Sequence, residues 1–460
     1  MIRTRAPRAV DRSRLPSPGP TVPLPFPAIE KSTLGNGLRV WTVRHAQLPL
    51  VSLLLLVRRG ASSDPAGKDG LAAVTADMLD EGSGEQSAIE IHQAIARLGA
   101  QLDTDIGSDA TVVSVTVLSR FTQRALGLLA DIVVRPALRE GDFARVRQLR
   151  LHRLTQLRDM PAALADRGFL RLLYGAHPYG HAPIGSEAAL ASMTVDDVRT
   201  FHARVIRPAT ATLVAVGDCD HGSIARLVDE AFGGWSGGGD PEVMADGPLP
   251  SGAPLAVVPR PGAPQSELRI GEVAVARATP DYHALVVANT ILGGQFVSRI
   301  NLNLREHKGL TYGARTAFEF KRMPGPFAMQ VSVQTSGTAV AIAEGIGEIA
   351  GIRGERPVSS DELSLGIAAL TRGYARNFET AEQIGRAAMQ LALYDLPDDY
   401  FEQFVPKVEA VTSEDVSRVM ARHLDPARLV TLVVGDLDAV GPDLASLGRG
   451  ELIVLSPDSF

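Results

Sequence analysis

One segment of the chain occurs twice, and this constrains the fold more than any other feature. "MTVDDVRTFHARVIRPATATLVAVGD" from Met193 aligns without a gap to "VTSEDVSRVMARHLDPARLVTLVVGD" from Val411, an offset of 218 residues. Thr194/Thr412, Asp197/Asp415, Val198/Val416, Ala203/Ala421, Arg204/Arg422, Pro208/Pro426, Ala209/Ala427, Val216/Val434, Gly217/Gly435 and Asp218/Asp436 match. Both copies read alike. A threonine stands at the N-cap with acids in the first turn. An amphipathic helix follows, with proline just beyond its end. A β-branched strand then closes on Gly-Asp. A match through helix, break and strand points to duplication, and its period is far too long for a solenoid. The chain's 460 residues therefore read as two similar domains of about 200 residues each.

The order of elements repeats as well. In the first half, strands ("LRVWTVRH", "LVSLLLLVRR") precede helices ("DGLAAVTADMLDEG", "AIEIHQAIARLG"), then strands ("AQLDTDIG", "TVVSVTVLS"), helices and a last strand. The second half follows the same course through "LAVVPR", "SELRIGEVAV", "DYHALVVANTILGG", "VSRINLNLREHKG", "YGARTAFEF" and "FAMQVSVQ". Strands and helices in separate groups give an α+β class. Each domain is expected to be a mostly antiparallel sheet with helices packed on one face. The boundaries read as an extended arm over 1–30, a domain over 31–235, a Gly/Pro-rich linker over 236–253 and a domain over 254–460.

Composition narrows the function. A net charge of −6 and 5% aromatic content supply neither the basic face nor the stacking platforms that nucleic acid requires. The longest apolar runs, such as "LPLVSLLLLV", are strand-length and too short for a bilayer, so no membrane partner is expected. The Arg- and Pro-rich start has no apolar stretch of signal-peptide length, so the expected location is the cytoplasm. The single cysteine, Cys219, reads as an inert strand-end or loop thiol. His177 and His181 in "HPYGH" are four apart, but Pro178 and Gly180 oppose the helix that would aim both at one metal. His307, among charges in "REHKG", reads as part of a solvated face.

In order and spacing, the first-half stretches "GNGLRVW", "DGLAAVTADMLDEGS", "LGAQLDTDIGSDATVVSVTVLSR", "ADIVVRPAL" and "LLYGAHPYG" resemble the M16 peptidase family. So does "PDYHALVVANTILGGQFVSRINLNLREHKGLTYGA" in the second half. This is the family of pitrilysin, insulysin and mitochondrial processing peptidase, and the chain is most similar to its short-subunit bacterial branch. The resemblance runs from about Lys31 to the end and implies an M16/LuxS-like metallohydrolase fold. Active members carry H-x-x-E-H on the first helix, two zinc ligands around a general base, and a second glutamate on a later helix. That frame places Ala73 and Asp77 at the histidine positions and Ala76 at the glutamate position, with the later ligand near Arg153. Two alanines have no lone pairs, and an arginine repels a cation. The resemblance therefore implies no zinc in this chain.

The second half keeps the family's other signature, Arg305 and, seven residues on, Tyr312 in "LREHKGLTY". In relatives, the arginine binds a substrate carbonyl and the tyrosine stabilises the oxyanion. Bacterial short-subunit members pair a chain carrying H-x-x-E-H with a chain carrying Arg and Tyr. The resemblance thus implies a substrate-binding subunit of a heterodimeric zinc endopeptidase. Its partner would be a homologous H-x-x-E-H chain holding the zinc, and its ligands extended or unfolded peptides. Such a chain is inactive alone. The alternative is a scaffold or peptide-binding protein of the same fold. Exposed sheet edges that could accept a peptide strand are expected at "AQLDTDIG" and "TAFEFK".

Overall fold

The computed structural model describes residues 25–237 and 249–457, together with Ser13 and Gly19. Most of the expected arm and linker lies outside the described residues. In the first half the strands are β1 (Ile29–Thr33), β2 (Arg39–Arg44), β3 (Leu50–Val57), β4 (Gly82–Ser83), β5 (Gln86–Ser87), β6 (Leu102–Ile106), β7 (Thr111–Leu118) and β8 (Ala211–Gly217). In the second they are β9 (Leu255–Pro259), β10 (Gln265–Val273), β11 (Ala314–Phe318), β12 (Pro326–Gln334), β13 (Val430–Gly435) and β14 (Leu452–Val454).

Two six-stranded sheets form, in the orders β1-β2-β8-β3-β7-β6 and β11-β12-β10-β13-β9-β14. Equating β2, β8, β3, β7 and β6 with β9, β13, β10, β12 and β11 makes the five-strand cores identical in order. Directions agree too: β2–β8 and β9–β13 are parallel and the remaining core pairs antiparallel. Only the sixth strand differs. β1 lies antiparallel beside β2, whereas β14 lies parallel beside β9. The duplication read from one segment extends to the topology of both halves.

The repeated segment folds as its residues require. Thr194 and Asp197 form a reciprocal capping box at the start of helix Val195–Val205. Thr412 and Asp415 do the same for Ser413–His423, satisfying amide donors that a helix N-terminus otherwise leaves open.

Helices of each half cover one face of its own sheet, as the grouping of elements implies, and each opposite face is covered by a helix of the other half. Along β3 the side chains alternate. Leu53 and Leu55 join Leu126, Leu129 and Val228 of the first half, while Leu54 and Leu56 join Ile384, Ala388 and Leu391 of helix Ala381–Tyr394. Gly385 permits this approach, since a Cβ there would lie 2.5 Å from Leu54 Cδ1. Reciprocally, helix Pro161–Tyr174 places Leu164, Ala165, Phe169 and Leu173 on Ala256, Val258, Leu432 and Val434 of the second sheet. Burial on both faces explains why β3, β8 and β13 are apolar at all but one position each rather than alternating.

Polar ties join the halves at their margins. Asp109 accepts from the Arg322 amide at 2.8 Å and from the Tyr179 hydroxyl. Tyr174 donates to the Pro324 carbonyl at 2.9 Å, and Arg58 Nη1 donates to Asp395 Oδ1 at 2.9 Å. Phe26, at the end of the expected arm, is buried against Phe378 and Phe401. The two expected edges are edges: β6 ends the first sheet and β11 the second. Among the described residues no helix is long and apolar enough to cross a membrane.

Candidate functional site

Helix Leu71–Asp77 is shorter than "DGLAAVTADMLDEG" promised, because the chain leaves helical geometry after Met78 for the turn into the β4–β5 hairpin. It enters through Gly70 in the left-handed region (φ 95°). Asp64 caps the entry, accepting from the Gly70 and Ala72 amides at 2.7 and 2.6 Å. His181 of "HPYGH" bonds Asp64 Oδ2 through Nε2 at 3.0 Å. Burial pushes the Asp64 carboxyl above its usual value. Burial also works against the charged form of His181, but the bond to Asp64 and the charges of Asp64 and Asp69 win, and its pKa is raised. His177 is buried and accepts from the Tyr179 amide at Nδ1, 3.0 Å away. The two histidines serve separate structural bonds.

The residues that the resemblance assigns to the metal do not fit zinc. Ala73 and Ala76 are buried on the helix and offer no donor atom. Asp77 is engaged by Arg150, whose Nε donates to Oδ2 at 2.6 Å from helix Glu140–Arg158. Arg150 is 12% exposed and Asp77 44%, so a guanidinium bridges the two helices that the ligands of a metal-binding relative would occupy. Arg153 lies one turn farther along that helix and bonds Gln156 at 3.3 Å, exposed. Arg150 gave no signal of its own in the arginine-rich "RVRQLRLHRLTQLR". Among the described residues no group of three or more His, Cys, Asp or Glu side chains is placed to hold a metal.

Arg305 and Tyr312 line one cleft of about 500 Å³ beside β11 and β12, with Phe296, Arg269, Arg315 and Gln330. Arg305 sits in a widened helical turn, Leu302–His307, where the Lys308 amide reaches back to the Asn303 carbonyl at 3.1 Å. Such π-turns recur at functional sites because they re-aim side chains out of helical register. Asn303 beneath it donates to Glu344 and Glu348 at 2.9 and 2.7 Å. The Arg305 guanidinium stacks on Phe296 with its carbon 3.3 Å from the ring centroid, and Nε donates to Glu306 at 2.8 Å. Its Nη1 is buried and has no hydrogen-bond partner among the described residues. Tyr312 is 95% exposed.

Two residues that the sequence did not single out hold this cleft in shape. Buried Asn301 donates to the Ala314 carbonyl at 2.9 Å and accepts from the Ala314 amide at 2.8 Å, pinning the first residue of β11. Thr316 donates to Asn289 Oδ1 at 2.8 Å. Gly293 lets the helix approach that strand, since a Cβ there would meet the Thr316 amide nitrogen at 2.7 Å. A partial signal for Asn301 was present: it stands between Ile300 and Leu302 on the segment that leads to Arg305. Just beyond β8 in the first half, burial pushes the Cys219 thiol up to about 11, as expected of an inert thiol.

Residues 39–181 match the model described as insulinase (peptidase family M16), and residues 192–370 match peptidase M16 inactive domain. The chain belongs to the M16 peptidase family. An uncharacterized zinc protease of Mycobacterium tuberculosis is 27% identical over 435 residues, covering 92% of this chain and 96% of its own length. The crystal structure of a peptidase M16 inactive domain from Pseudomonas fluorescens superposes with TM-score 0.81 at 26% identity, covering 89% of this chain and 98% of that one. A protease from Helicobacter pylori shares the fold, with TM-score 0.82 at 20% identity over 89% of this chain and 99% of that one. The M16 fold of this chain thus combines two features: donor-free Ala73 and Ala76 beside an Asp77 held by Arg150, and a cleft lined by an arginine and an exposed tyrosine.

Proposed function

We propose that this M16 chain is the substrate-binding, zinc-lacking subunit of a heterodimeric metalloendopeptidase. Arg305 and Tyr312 act in a site completed by a homologous partner that carries H-x-x-E-H and its zinc. One observation carries the reading: the buried Arg305 Nη1 has no acceptor within the described residues, in the same cleft as a nearly fully exposed Tyr312. Buried donors are almost always satisfied, so an orphan at the mouth of a cleft supports an acceptor that arrives from outside. A peptide carbonyl is such an acceptor. Arg305 would hold it in ground and transition states alike, and the Tyr312 hydroxyl would donate as charge develops on the attacked oxygen.

The alternative, a scaffold of the same fold, has no use for either group. The test is steady-state peptide cleavage by the pair reconstituted with an H-x-x-E-H homologue. Tyr312→Phe should lower turnover by about 10²–10³ and leave pairing and the partner's zinc content unchanged. Full activity with both Tyr312→Phe and Arg305→Ala would leave the scaffold reading standing.

A further inference from the structure

Among the side chains that line the Arg305–Tyr312 cleft, Gln330 of β12 stands opposite Arg269 of β10 on one side and Arg315 of β11 on the other. The three form one row across adjacent strands, which ends at the sheet edge because β11 is the last strand. Arg269 is buried, and its charge is answered twice, by Asp166 at 2.7 Å and by Glu267 at 3.2 Å. Arg305 has Glu306 at 2.7 Å. Among the described residues Arg315 has no acidic partner. It is exposed and bonds only the neutral Gln330 side chain, whose Oε1 accepts from Nε at 2.9 Å and from Nη2 at 2.6 Å. That contact decides which part of the guanidinium is left. The group carries five N–H donors in a planar fork, and Gln330 occupies the edge formed by Nε and Nη2. The other edge, Nη1 with the second N–H of Nη2, keeps two parallel donors. Gln330 also holds the plane in position, where a surface arginine otherwise moves among many rotamers.

We infer that Arg315 is a specificity-determining residue of the cleft: its free edge receives the carboxylate of an aspartate or glutamate in the bound peptide. Two parallel donors match the two oxygens of a carboxylate, which a single carbonyl does not offer. The charges at the cleft point the same way. Those lining it are Arg269, Arg305 and Arg315 against Glu267, and Glu267 is committed to Arg269. The cleft volume of about 500 Å³ is that of a sphere about 10 Å across, the span of about three extended residues. The acidic residue therefore stands within about three positions of the carbonyl held by Arg305. The inference rests on the peptide-binding reading above and adds a substrate class to it: peptides with an acid close to the bond that is attacked.

The experiment uses the full chain alone and fluorescence anisotropy of a labelled, unstructured peptide. One form carries aspartates and the other asparagines at the same positions, with identical blocked termini. The aspartate form should bind about tenfold tighter, the size of one charge-assisted bond at a partly open site, and the ratio should shrink between about 50 mM and about 500 mM salt. Arg315→Gln should bring the ratio to about one. Arg315→Lys should keep part of it, because the charge remains without the fork. Gln330→Glu should also remove it, since the new carboxylate neutralises Arg315 where it stands. Arg315 is exposed, so its variants should keep the wild-type thermal midpoint. If the wild type binds both forms alike, or the ratio survives Arg315→Gln, the assignment is overturned while peptide binding stands. If the ratio survives and Arg315→Gln instead weakens pairing with an H-x-x-E-H homologue, the guanidinium serves an acid of the partner and the assignment is overturned as well. If neither form binds, the peptide-binding reading falls with it.

Discussion

Replacing Arg305 by methionine separates what this residue does for the fold from what it does for a substrate. Its Nη1 is a buried donor without an acceptor among the described residues, a defect that costs about 1–3 kcal/mol. On the other side, the Nε bond to neighbouring Glu306 belongs to a half-exposed pair worth at most about 1 kcal/mol. Stacking on Phe296, which is 71% exposed, contributes about 0.5–1 kcal/mol. Methionine keeps most of the stem's packing. The contributions nearly cancel, so Arg305→Met should change unfolding free energy by no more than about 1 kcal/mol, measured by urea denaturation. In the reconstituted pair the same variant should lose about 10- to 100-fold in kcat/KM, the value of a charge-assisted bond to substrate. A fall of more than about 3 kcal/mol in stability would show that Arg305 supports the fold. An unchanged kcat/KM would refute its contact with substrate.

Three further outcomes follow from the geometry. Ala73→His, Ala76→Glu and Asp77→His together should not give stoichiometric zinc by elemental analysis, because the triple variant leaves the Arg150 guanidinium, now without Asp77, beside the new ligands. One tightly held zinc per chain would overturn this. The raised His181 pKa contributes stability that is full below about 6.5 and is lost as pH climbs through the folded value. The stability gap between wild type and His181→Gln should therefore narrow as pH rises above about 6.5; a gap that stays flat as pH rises would mean the His181–Asp64 pair carries no charge. Residues 31–235 expressed alone should aggregate, since Val43, Leu54, Leu56, Val214 and Val216 lose the cover of helix Ala381–Tyr394. A soluble half giving a cooperative unfolding transition would contradict the interlocked packing.

What the sequence could and could not disclose follows from the range of each interaction. The capping boxes at Thr194 and Thr412, the edge position of β6 and the donor-free alanines at 73 and 76 were legible, because local pattern or residue chemistry decides them. Arg150 was not legible. It matters only because the turn on helix Glu140–Arg158 that carries it faces Asp77, and one arginine among several in "RVRQLRLHRLTQLR" has no local mark. Asn301 was half legible, since an asparagine between Ile300 and Leu302 hints at a bond but does not name Ala314 as its partner.

The exchanged helices show the same limit at the scale of the fold. The grouping of elements in the sequence placed helices on one face of each sheet, but β3 and β13 are buried on both. A strand is blind to which half supplies the cover, however, and that choice appears only where Gly385 lies against Leu54 and Phe169 joins Leu432. The exchange bears on the cleft. Helix Pro161–Tyr174 belongs to the half that carries donor-free Ala73 and Ala76, yet its Ala162 lines the cleft of Arg305 and Tyr312. Arg269 at that cleft is fixed by Asp166 of the same helix at 2.7 Å. The first half would thus be retained for what it lends to the second half's site. Breaking the Arg269–Asp166 pair should disturb peptide binding at the cleft before it disturbs either sheet.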